Sequence, residues 1–331
     1  MFIVHDFWLA TLFCVITMLG WGSWANTQKL AGKDQWAFPL FYWDYALGVF
    51  LFGLLWMATL GNFGNQGMSA GENLRQAGIG PMAHAVMSGA LFNLSNILLV
   101  VAIDGAGMAV AFPVGVGLAL VIGTVASYIQ TPKGNPVMLF AGVVLVLTAI
   151  VISAIAHRRL PRSGAAGGSG GLVAAIAAGC LMGFFYPQLA VSLSPNFSTA
   201  PIVPGFLTPY TALALFGAGL LASNFVWNTI FMRVRAVRYA EYFRGTARLH
   251  TLGLIGGFLW MIALSLNLIA SGVVGPAVSY ALGQGATLVA AIWGVFIWRE
   301  FRDAPKGTGW LIGLMFAGYA GGLALIGMAT Q

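Results

Sequence analysis

Charge is what this chain has least of. Asp, Glu, Lys and Arg together supply 7% of its 331 residues, where a soluble domain carries about a quarter. That scarcity excludes a water-facing surface of ordinary size, and with it most soluble enzymes and binding modules. Cysteine is equally scarce: Cys14 and Cys180 are the two present, both inside apolar stretches, so a disulfide framework is excluded and both read as small packing residues. Phosphate-cradling GxxxxGK[ST], HExxH and paired-cysteine patterns are absent from the sequence, so neither an enzyme nor a metal or cofactor site is expected. The net charge of +7 is no nucleic-acid footprint, because no soluble face exists to carry it.

What the chain has instead is length of apolar sequence. Hydrophobic residues make up 59%, and fitting about 20 of them to each bilayer crossing predicts an all-α polytopic membrane protein of ten spans. They fall near 7–28, 37–60, 80–103, 107–130, 136–157, 172–193, 206–230, 249–271, 275–298 and 308–329. The first apolar segment lacks a basic leader, so it is expected to remain as a span rather than be cleaved. Thirteen of the 15 Lys and Arg residues fall in connections that follow odd-numbered spans, leaving only Arg75 and Lys133 on the other side. Lys and Arg accumulate on the cytoplasmic side of membranes, which predicts a bacterial-type inner membrane protein with both termini outside.

One hairpin is written twice. Residues 88–120 and 256–288 align at a constant offset of 168 with ten of 33 positions identical, including Gly89/Gly257, Gly107/Gly275, Gly115/Gly283 and Gly117/Gly285. An apolar-biased alphabet gives roughly three matches by chance. The basic, Gly-rich stretch HRRLPRSGAAGGSGG at 157–171 divides the chain into a first five-helix repeat (1–160), a flexible cytoplasmic linker (161–171) and a second five-helix repeat (172–331). An odd number of spans per repeat inverts the second copy, the arrangement that alternating-access transporters use.

Intramembrane polar groups then nominate a site. Asp44 lies about 10 Å inside the second span at 1.5 Å per residue, where a carboxylate faces a cavity or a partner and often carries protons; its bland alternative is a pair with Lys29 or Lys33 across the first hairpin. Asn93 and Asn96 share one face of the third span and either link helices or bind a polar solute. Gln284, between Gly283 and Gly285 with Tyr280 one turn away, favours ligand contact. Trp21, Trp24 and Trp260 offer faces on which a ring could stack, against the ordinary role of interfacial anchors. Asn224 and Asn228 carry less weight, Asp104 reads as solvated at a turn, and His84 and His250 read as packing residues near span ends. Small residues recur every fourth position at Ala111, Gly115, Ala119, Gly123 and Ser127, and again at Ser279, Gly283, Thr287 and Ala291; such stripes either pack helices or line a path.

The segments LGWGSWAN (19–26), YWDY (42–45), FNLSN (92–96), VIGTVASYI (121–129) and LFAGV (139–143) resemble the ureide permeases of the drug/metabolite transporter superfamily, sisters of the bacterial glucose and rhamnose permeases. The resemblance covers mainly the first half. It implies ten helices in two inverted five-helix repeats, and proton-coupled uptake of allantoin, uracil, xanthine or related heterocycles, with Asp44 at the acidic position. Plant members carry a long central segment with a nucleotide-binding-like motif, which the short linker here lacks. The expectation is therefore a secondary transporter that moves a small polar ring solute (nucleobase, ureide, nucleoside or sugar), with Asp44 coupling protons and Trp21, Trp24, Asn93, Asn96, Trp260, Tyr280 and Gln284 holding the solute. An exporter of the same fold and a non-transporting membrane scaffold or receptor are the alternatives.

Overall fold

The computed structural model describes residues 1–64, 66–160 and 169–330. It is helical, with no β-strand among the described residues, and ten of its helices are long and apolar enough to cross a membrane. They are α1 (Phe7–Lys33), α2 (Phe38–Ala58), α3 (Ile79–Ala106), α4 (Met108–Gln130), α5 (Pro136–Arg158), α6 (Ser169–Ala190), α7 (Pro209–Val234), α8 (Ala247–Val274), α9 (Pro276–Ile297) and α10 (Thr308–Met328). Each falls on a span expected from hydropathy, because only a helix satisfies its own backbone where no water is present. Most of the 161–171 linker lies outside the described residues.

Local chemistry sets the helix ends. Asp6 accepts from the Leu9 amide to open α1, Asn135 accepts from Val137 and Met138 to open α5, and a Thr208–Thr211 capping box opens α7. α3 ends at Gly107 with φ +79° and α8 ends at Gly275 with φ +89°. Both helices are 28 residues long, and their termini and terminating glycines stand 168 positions apart. Only glycine takes that left-handed turn without strain, so the duplicated sequence produces a duplicated corner.

The helix ends sort into two groups. At one end Asp34 meets Arg248 at 2.8 Å, Lys29 meets Glu300 at 2.6 Å, and Asp104 pairs with Arg235. These contacts tie together connections that follow odd-numbered helices. At the other end the Met1 amino group donates to the Gln66 carbonyl at 2.7 Å, and the Asn135 amide donates to Ala329 at 2.7 Å. Both termini therefore lie opposite the basic end. The Asp104 contact corrects the expectation of simple solvation, since its carboxylate is paired.

Packing follows a crossed pattern. α3 lies against α6 and α7, while α8 lies against α1 and α2. Glycine makes both seams close: a Cβ at Gly89 would collide with the Phe216 carbonyl of α7, and one at Gly257 with the Tyr45 carbonyl of α2. Of the small-residue stripes, the one on α4 packs helices, with Gly123 filled by the Tyr280 ring and the Gly115 backbone against Gly179 of α6. The stripe on α9 instead borders an opening at Thr287 and Ala291.

Candidate functional site

Two helices are irregular beside one cavity. α1 is interrupted at Trp24, after the Gly22–Ser23 pair, a sequence that lowers helix stiffness. α9 is interrupted at Gln284–Gly285 and ends in a π-turn over Trp293–Ile297, irregularities that gather at functional sites. Gly283 and Gly285 have no side chain, so the Trp21 ring and the Met18 sulfur of α1 press directly on α9.

The opening beside these irregular turns has two parts that share lining residues. The outer part, about 410 Å³, is lined at the basic end by Asn26, Gln28, Lys29, His157, Trp293, Trp298, Glu300 and Tyr319. The inner part, about 160 Å³, is lined by Trp21, Trp24, Phe92, Asn96, Leu99, Val116, Met182, Phe185, Trp260, Gln284 and Thr287. Gly22, Ala25, Thr287 and Ala290 border both. Residues from both halves of the chain build the inner part. No Asp, Glu, Lys, Arg or His belongs to that inner lining, so it suits an uncharged solute: a charge placed there would be desolvated without a partner.

Aromatic rings close the inner end. Trp260 stacks on Phe92 at 4.1 Å and on Phe216 at 5.6 Å, with Phe185 at 6.3 Å. Behind them Tyr186 and Tyr280 are fully buried. The outer part thus borders charged residues of the basic end, and the inner part borders a packed aromatic cluster.

Five residues singled out from sequence meet in this inner lining: Trp21, Trp24, Asn96, Trp260 and Gln284. Asn96 donates to the Tyr42 hydroxyl at 3.3 Å. Asn93 does not reach the cavity; it donates to the Leu220 carbonyl at 3.2 Å and the Ser223 hydroxyl at 2.8 Å, joining α3 to α7. Tyr280 is also outside it, donating to the Ala119 carbonyl at 3.1 Å and joining α9 to α4. Asn228 donates to the Pro39 carbonyl at 2.9 Å, and His84 contacts Gln188 at 2.6 Å.

Neither Lys29 nor Lys33 pairs with Asp44. Lys29 is bound to Glu300, and Lys33 sits over the Trp298 ring at 4.9 Å. Asp44 is instead held by two residues far along the chain. Tyr242 donates its hydroxyl to Oδ1 at 2.6 Å, and His250 Nδ1 meets Oδ2 at 2.8 Å. His250 therefore departs from its expected packing role. Burial raises the Tyr242 phenol above its ordinary range, and donation to Asp44 raises it further. Asp44 borders neither part of the cavity.

Among residues that the sequence did not flag, Phe92, Phe185 and Met182 in the inner lining read as ordinary apolar core. Glu300 clasps two helices: it accepts from Lys29, and its other oxygen lies 3.8 Å from His157. His157 and then Lys29 hold its carboxyl down to about 2.

Fold and cavity together define a polytopic helical membrane protein with an uncharged, ring-lined chamber between its halves. No family model and no curated protein matches the chain. Eighteen solved chains do match. One of them, described only as "Crystal structure of protein", superposes with a TM-score of 0.61 at 17% identity, covering 96% of this chain and 95% of that one. At that identity the likeness is one of fold.

Proposed function

We propose that the chain is a secondary transporter whose ten helices form two inverted five-helix repeats, as in the drug/metabolite transporters. Supporting the repeat are the two 28-residue helices, their terminating glycines 168 positions apart, and the crossed packing of α3 and α8. The turn at Gly107 lies at the basic end, whereas Gly275 lies at the other, where the Lys133 stem covers it.

The single observation that carries transport is the inner chamber. Three tryptophans with Phe92 and Phe185 give flat apolar walls, while Asn96 and Gln284 supply amide donors and acceptors. That combination suits a small, neutral, polar ring: a nucleobase or ureide, with nucleosides and sugars as larger candidates. Stacking supplies affinity, and the amides supply orientation. Asp44 is the proposed coupling group, because a carboxylate in a membrane helix costs about 3 kcal/mol or more unless it does work there. The test is uptake by proteoliposomes under an imposed pH gradient.

A second reading, export from the cytoplasm by the same fold, is favoured by one observation: the outer part of the cavity is lined by Lys29, His157 and Glu300 of the basic end, the side that charge distribution assigns to the cytoplasm. Accumulation by inside-out rather than right-side-out vesicles would select it.

A further inference from the structure

Asp44 is 2% exposed, yet its partner His250 keeps 26% of its side-chain surface open. The imidazole belongs to the first turn of α8, at the basic end. With Asp44 ionised its carboxylate only accepts, and the 2.8 Å contact then calls for the proton on His250 Nδ1. The other ring nitrogen, Nε2, looks toward Gly245, where even a Cβ would stand 2.6 Å away. Gly245 packs its backbone against Nε2 and the Trp36 ring, and the 26% of the imidazole that stays open is its route to solvent. The Trp36 ring meets the imidazole edge-on at 5.6 Å, and Tyr242 does so at 4.8 Å, which fixes the ring plane.

We propose that Asp44 and His250 form one proton-binding pair, loaded from the basic end through the imidazole and standing apart from the solute chamber. The step balances with groups already in place. A hydronium delivers its proton to Nε2 and leaves as water, and the Nδ1 proton passes to Asp44 Oδ2. The imidazole ends neutral, and the carboxylate has become a carboxylic acid. Net uptake is one proton. This inference rests on the transport reading for its purpose, and on the geometry alone for its chemistry.

The surrounding charges are committed elsewhere, which leaves the pair to answer to each other. Arg248, also on α8, turns to Asp34 at 2.8 Å, and Arg238 in the connection turns to Glu241 at 3.6 Å. Arg235 at the end of α7 pairs with Asp104, and Lys29 and Lys33 of α1 turn to Glu300 and Trp298. Arg233 and Arg244 point to the exposed surface. Tyr242, which stays protonated, completes the shell.

The pair also spans the seam between the first and second halves of the chain. A Cβ at Gly253 would collide with the Asp44 side chain, and one at Gly48 would stand 2.5 Å from the Leu254 carbonyl. Helices this close leave the pair little freedom to separate. Neutralising Asp44 weakens both of its charge-assisted bonds and so loosens one clasp of the seam. Next to Asp44, Tyr45 packs on Trp24 of the chamber at 4.9 Å, and two residues before Asp44 the Tyr42 hydroxyl accepts from Asn96.

The chain contains four histidines, so full-length protein in nanodiscs, labelled with ¹⁵N-histidine and ¹³C-carboxyl aspartate, gives signals that single His→Gln variants assign. The expected result is that the His250 and Asp44 signals change over one shared pH range, and that His250→Gln moves the Asp44 change by half a pH unit or more. Separate, mutually indifferent changes, or an Asp44 signal unmoved by His250→Gln, would overturn the pair. If His250→Gln does not fold, the shared range in the wild-type protein decides alone. The measurement uses no solute, so its failure leaves the transport proposal to be judged by uptake.

Discussion

Trp21 of α1 and Trp260 of α8 stack across the inner chamber's edge, ring centroids 5.9 Å apart and planes 23° from parallel. One comes from each half of the chain, so any movement of the halves must slide or part these rings. Replacing Trp260 with Ala is expected to weaken solute affinity at least fivefold, about 1 kcal/mol of lost ring contact, whereas Trp260→Phe keeps most of it. Ligand-induced thermal shifts across a panel of nucleobases, ureides, nucleosides and sugars check this.

The two asparagines of α3 are expected to separate. Asn93→Leu removes the link to Leu220 and Ser223 and lowers stability by about 1 kcal/mol, with affinity little changed. Asn96→Leu does the reverse, because its amide borders the chamber. Melting temperature and affinity measured on both variants give the comparison.

His157, and then Lys29, hold the Glu300 carboxyl down to about 2, below its ordinary 4.5. A carboxylate held down in the folded state stabilises it above pH 4.5, and the contribution is lost as pH falls from 4.5 through about 2. The melting-temperature difference between wild type and Glu300→Gln should therefore shrink as pH falls below 4.5. The pair with Lys29 is partly exposed, so the whole effect stays near 1 kcal/mol or less.

Matching glycines should fail alike. Gly89→Ala and Gly257→Ala each push a methyl into a neighbouring carbonyl, on Phe216 and Tyr45, and each is expected to cost about 1–3 kcal/mol. Denaturant or thermal unfolding in detergent measures both.

The placement of Lys and Arg predicts a sidedness that labelling can test. In a protein with Cys14 and Cys180 replaced by Ala, a cysteine at Ser69 should react with an impermeant reagent added outside intact cells. A cysteine at Glu241 should react only after the membrane is opened.

Much of the frame was legible because hydropathy and glycine placement are local in sequence. The span edges agree within a few residues, and Gly107 and Gly275 marked corners that only their backbone angles require. Asp44 was legible as a buried charge, but its partner was not, since His250 lies 206 positions away and nothing in one sequence pairs them. Asn93 and Asn96 looked equivalent because they stand three residues apart, about 60° around a helix. That angle suffices to turn one toward α7 and the other toward the chamber. Tyr280 lies one turn from Gln284 but points at α4, where Gly123 makes room for its ring.

The central claim is that a proton held at Asp44 drives a ring solute through the chamber. Proteoliposomes carrying the purified protein, given a panel of radiolabelled uracil, xanthine, allantoin and rhamnose under an imposed pH gradient, test it directly. The expected result is gradient-dependent accumulation of at least one of these by the wild-type protein and its loss in Asp44→Asn. Transport indifferent to the gradient, or an Asp44→Asn protein as active as wild type, would contradict it.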